Sequence, residues 1–86
     1  MNPLERLMHD ATAALEQFLD LLCLDDSHVS PSFSQANNIV FLDLVITTSA
    51  RDELVLRNAG ADNAFAVLAR VMGDQSGLAT VSIQIA

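Results

Sequence analysis

Several groups of residues in this chain carry types and spacings from which chemistry is built. Asp25, Asp26 and His28 bring two carboxylates and an imidazole close together, the donor types of a divalent-cation site. Neighbouring side chains diverge, and no third or fourth ligand follows at a recognisable spacing. They read as solvated turn residues, and no metal is expected. His9 has no partner at a useful spacing. Ser49 and His28 supply a hydroxyl and a base, but no third group is placed to orient them. Cys23 is the sole cysteine, so neither an intramolecular disulfide nor a cysteine-built metal site can form. Its setting, Leu21-Leu22-Cys23-Leu24, predicts a buried structural thiol. Arg57-Asn58-Ala59-Gly60 is a short connection with one cation and a glycine. No phosphate-cradling glycine loop occurs. The chain is therefore read as a non-enzyme with no catalytic residues and no cofactor.

The bulk composition sets further bounds. The 86 residues suffice for one domain, spanning 1–86, with a modest core that oligomerisation often supplements. Hydrophobic residues make up 51% of the chain, far above a disordered composition. With no Trp or Tyr and four Phe, the core must be built from Leu, Val, Ile and Ala. The formal charge is −7, and the basic side chains are all arginine. Such a surface repels a phosphate backbone and an anionic bilayer alike. No apolar run approaches the ~20 residues that span a bilayer. The N-terminus, Asn2-Pro3-Leu4-Glu5, has neither a basic lead nor an apolar h-region, so a cytoplasmic, bacterial-type protein is expected.

The elements that would position these residues follow from periodicity. Leu4, Leu7, Met8, Ala11, Leu15, Phe18, Leu19 and Leu22 recur at helical spacing, with Asn2 as cap and Pro3 at the first helical position. Val29 to Gln35 alternates loosely, and Pro31 makes it an edge strand. Ala36-Asn37-Asn38 predicts a hairpin turn. Ile39 to Ile46 is apolar on both faces apart from Asp43. It reads as a central strand covered twice, the face of Ile39, Phe41 and Val45 meeting another copy of the molecule. Thr48 or Ser49 caps a short helix whose inward residues would be Leu54 and Val55. Asp62 or Asn63 caps a longer one, with Ala64, Phe65, Val67, Leu68, Val71 and Met72 as its apolar side. Asp74 to Gly77 breaks that helix. Val81, Ile83 and Ile85 alternate with Thr80, Ser82 and Gln84 in a last strand.

This succession, helix-strand-strand-helix-helix-strand, resembles a type II KH domain. It is similar to the small bacterial KH RNA-binding proteins and to the KH portion of the bacterial Jag protein. The resemblance covers the chain as an element order and is sharpest from Ile46 to Leu68. There Leu54 and Val55 take the apolar pair before the family's Gly-x-x-Gly loop, and Ala64, Phe65, Val67 and Leu68 take the apolar positions after it. It implies an α+β fold in the order α-β-β-α-α-β, a three-stranded sheet with helices packed on one face. The loop positions hold Leu56-Arg57-Asn58-Ala59, so both glycines are missing. Shifting the register by one brings Gly60 to the second position and Arg57 to the first. In the family those glycines let backbone approach phosphate. Leu56 would obstruct that approach.

Two functions are weighed. The first is a KH-like module that acts through a protein partner or as a homo-oligomer, using Ile39, Phe41 and Val45. The second is RNA binding through a diverged loop, Arg57, Asn58, Ala59 and Gly60. The acid excess and the missing glycines favour the first.

Overall fold

The computed structural model describes residues 2–86. Helix α1 (Pro3–Leu21) is capped by Asn2, whose side chain accepts from the Glu5 N–H at 2.8 Å, with Pro3 just inside its start. Ala11, Leu15 and Leu19 form its buried line. The chain leaves α1 through a Schellman turn. The Cys23 N–H donates to the Asp20 carbonyl (2.9 Å), and the Leu24 N–H donates to the Leu19 carbonyl (3.0 Å). Leu24 and Leu19 both enter the core, as the apolar contact of that motif requires. Cys23 takes the left-handed position (φ 58°) and is exposed. The buried thiol expected from its apolar neighbours is corrected: the turn's geometry points it at solvent.

Strands β1 (His28–Ala36) and β2 (Ile39–Thr47) form an antiparallel hairpin closed by Asn37 and Asn38, both at positive φ. That is the backbone a two-residue turn demands, and Asn tolerates it. Helices α2 (Ala50–Asn58) and α3 (Ala61–Ser76) then lead to β3 (Thr80–Ile85), parallel to β2. The sheet order β1-β2-β3 puts β2 in the centre and β1, with Pro31, at an edge. All three helices contribute to one core on one face of this sheet. Leu42, Leu44 and Ile46 of β2, Val29 of β1 and Val81 of β3 meet Leu15, Leu19, Leu56 and Phe65 there. Each fully buried Leu or Ile contributes about 1.5–3 kcal/mol from removal of apolar area from water. Gly73 sits where α3 crosses β3. A Cβ there would lie 3.3 Å from the Ala79 carbonyl oxygen, a tighter contact than most Cβ atoms make, so the close approach favours glycine.

Among the described residues no helix covers the second face of β2, the face expected to meet another copy of the molecule. Phe41, Asp43 and Val45 stay half-buried by their sheet neighbours alone. Two helix faces also differ from the pattern. In α2 the buried residues are Asp52 and Leu56, while Leu54 is 62% and Val55 42% exposed. Ser49 sets this phase by capping α2 and accepting from the Asp52 N–H (3.2 Å). Asp52 then points inward and accepts from Ser27 Oγ (2.8 Å), tying the approach to β1 to the first turn of α2. In α3, Ala61, Phe65 and Ala69 are buried, and Leu68 and Met72 pack against them. Ala64, Val67 and Val71 are exposed, so that apolar side is only partly core.

Candidate functional site

The α2–α3 turn is the first candidate. Helix α2 continues through Arg57 and Asn58, so the connection to α3 is Ala59-Gly60 alone. A four-residue loop over Arg57–Gly60 is thereby corrected. The helical phase that buries Leu56 (0% exposed) also carries the backbone on for two more residues. Leu56 lies in the core and obstructs nothing at the surface. Gly60 is left-handed (φ 75°) and serves as N-cap of α3, with no side-chain cap bond. Neither Asp62 nor Asn63 caps that helix, because the sharp turn already places the Gly60 carbonyl to accept from the Ala64 N–H (3.3 Å). A Cβ on Gly60 would meet nothing within 4 Å, so glycine is favoured there by backbone conformation and not by space.

Arg57 projects from the last turn of α2 into two carboxylates. Its Nη2 lies 3.1 Å from Glu53 Oε1, one helical turn back, and its Nη1 lies 2.8 Å from Asp62 Oδ2, across the turn. Nε donates to Glu53 as well, at 3.4 Å. The hydrogen bonds to Glu53, and next the charge of Asp62, raise the guanidinium pKa above arginine's ordinary value. The cluster is net negative, and its one cation has acids on two sides. Asp62 also occupies the first turn of α3, where an anion is favoured by the helix dipole. A phosphate arriving here would compete with two carboxylates for the same cation.

The other arginines do not reinforce it. Arg51 borders a depression with Asp25, Asp26 and Asp52 at the end of α1. Arg70 borders a separate cleft of about 440 Å³ between the hairpin turn, α3 and the start of β3. Among the described residues no group of three or more His, Cys, Asp or Glu is arranged to hold a metal ion. No described helix is long and apolar enough to cross a membrane.

The outer face of the sheet is the second candidate. Register places Phe41 between Ser34 and Thr80, Asp43 between Ser32 and Ser82, and Val45 between Ser30 and Gln84. Ser82 Oγ donates to Asp43 Oδ1 at 2.6 Å. Ile39 shares this side at the hairpin end and is 49% exposed. The face is thus rich in hydroxyls, with a carboxylate at its centre and two half-buried apolar side chains beside it.

The third surface was missed in the sequence. Among the described residues seven of the ten exposed large hydrophobics lie on the helices or their caps: Phe18, Leu21, Leu22, Leu54, Val55, Val67 and Val71. The pattern held a signal for it, since the apolar arcs of α1 and α3 are wider than one contact line needs.

Comparison with protein-family models, with curated proteins and with solved structures finds no match to this chain.

Proposed function

We propose that this chain is a non-enzymatic, KH-like module, cytoplasmic and bacterial in type, that acts through protein–protein contact, by self-association or with a protein partner. The observation that carries this reading is Arg57 held between Glu53 and Asp62. The resemblance puts phosphate contact at that turn, and the turn's single cation is engaged inside the chain. Uncovered apolar surface on the sheet and on the helices supports the same reading. A labelled single-stranded RNA titrated at low salt should give a flat anisotropy isotherm with this protein. Binding that weakens as salt rises and is lost in Arg57→Glu would replace this reading with RNA recognition.

One observation favours that alternative. Gly60 leaves open space before the first turn of α3, whose leading amides have no side-chain cap. The diverged loop would then bind RNA through Arg57, Asn58 and the backbone at Ala59-Gly60, and the same isotherm decides between the two.

A further inference from the structure

We infer that the open edge of β3 pairs with itself: β3 of a second copy of this chain joins it antiparallel, making one continuous sheet across a two-fold axis. The inference rests on the protein-contact reading and names the surface and the partner.

The two edges of the sheet differ in protection. In β1 the hydrogen-bonded pair Ala36–Ile39 closes the hairpin, and backbone groups alternate sides from there. Val29, Pro31 and Phe33 therefore turn their backbone outward, and Pro31 has no N–H to offer, which blunts that edge. In β3 the Ala86 N–H donates to the Ile46 carbonyl at 2.9 Å, so Gln84, Ser82 and Thr80 likewise face β2. Val81, Ile83 and Ile85 then turn their N–H and C=O groups away from the sheet. Among the described residues no turn, loop or cap takes up these groups. The strand has no proline and no charge, and its register with β2 is unbroken by a bulge. An edge without those devices is a template for another strand.

The pattern of this edge fits a copy of itself. A two-fold axis at Ile83 sets Ile83 opposite Ile83 and Val81 opposite Ile85, and each of the three pairs exchanges two hydrogen bonds. Every outward group is satisfied. Apolar side chains meet apolar ones on the core side, and Ser82 meets Gln84 on the other. Ile83 and Ile85 are only half-buried, whereas their neighbours on β2, Leu44 and Ile46, are fully buried, so edge pairing completes an existing core. Beside Val81 opens the cleft lined by Val40, Ala69 and Gly73, into which Ile85 of the other copy fits.

The helix above the edge agrees. Gly73 of α3 stands beside Ala79 and Val81. Ala66, seven residues back along α3, and Ile83, three residues on from Thr80, each lie about 10 Å from there, and so at one level. Asp62 and Arg70 flank Ala66 at four-residue spacing, on the side turned away from Phe65, which meets Phe18 of α1. The same two-fold sets Asp62 of one copy toward Arg70 of the other, an opposite-charge match in a chain of charge −7. Edge pairing also leaves Asp43 on a solvent face, where stacking that face on itself would bury it.

Sedimentation from low micromolar to submillimolar concentration, with amide hydrogen exchange on the same samples, tests this. A weak reversible dimer is expected, since one pair of edges buries less than a full interface. The Val81, Ile83 and Ile85 amides should gain protection as concentration rises, while the Gln84 amide, already bonded to β2, should not. Ile85→Pro removes an outward donor without touching the ladder to β2, and Ile83→Lys sets like charges opposite each other. Each should weaken the dimer about tenfold or more with unchanged circular dichroism, and Val67→Glu on the exposed side of α3 should not. A wild-type monomer throughout the range overturns the inference. So does a dimer whose edge amides stay unprotected, or one dissociated by Val67→Glu but not by Ile85→Pro, outcomes that leave the protein-contact reading standing. The RNA isotherm bears on that reading separately.

Discussion

The α2–α3 turn and the exposed apolar residues of α1 and α3 are neighbours in the helical layer with opposite bookkeeping. At the turn, the cation Arg57 and the acids Glu53 and Asp62 satisfy one another. On the outer side of α1 and α3, Leu21, Val67 and Val71 stay exposed among the described residues. The difference teaches where to look for a partner. A charged turn whose groups already pair internally has little free energy left for a ligand, whereas uncovered apolar area keeps its full gain for whatever arrives.

Four substitutions break or sharpen this contrast. The largest effect is expected from Leu56→Ala, which should cost about 2–5 kcal/mol in denaturant unfolding because it opens a cavity beneath the turn. A near-neutral result would return Leu56 to the surface and reopen the turn as a loop. Gly60→Ala should cost about 1 kcal/mol, since the left-handed backbone penalises any Cβ even in open space. Cys23→Gly tests the turn at the end of α1 with the opposite sign. It should stabilise by about 0.5 kcal/mol in thermal melts, because glycine relieves the same penalty there. Arg57→Ala should shift Tm least of all, because exposed ion pairs contribute little. A drop as large as that of Gly60→Ala would show that the ion pairs, not the backbone, hold the turn.

Much of the architecture was readable before any coordinates. Asn2-Pro3 marked the start of α1, Asn37-Asn38 the hairpin, and Ser49 the start of α2. The alternation from Thr80 to Ile85 assigned both faces of β3. These are local signals, and each residue type acts on its own backbone. The candidate site was less legible. Arg57 was named, but its partners lie one helical turn back and across the next turn, and nothing in Arg57-Asn58-Ala59-Gly60 shows them. Their apolar character alone points Leu54 and Val55 inward. The capped phase of α2 chose Asp52 and Leu56 instead, and Ser27 makes the buried carboxylate tolerable.

By itself the chain's order of residue types determined the kind, number and succession of elements, and the strongly acidic balance that disfavours polyanions. Local propensity and period act within a few residues, so they survive without knowledge of the fold. Only the tertiary structure decided which apolar residues became core, which stayed outside, and whether Arg57 was free. Those outcomes depend on the rotation of each helix against a shared sheet. That rotation is set by all the contacts at once: a helix turned through one residue, about 100°, exchanges its buried face for an exposed one.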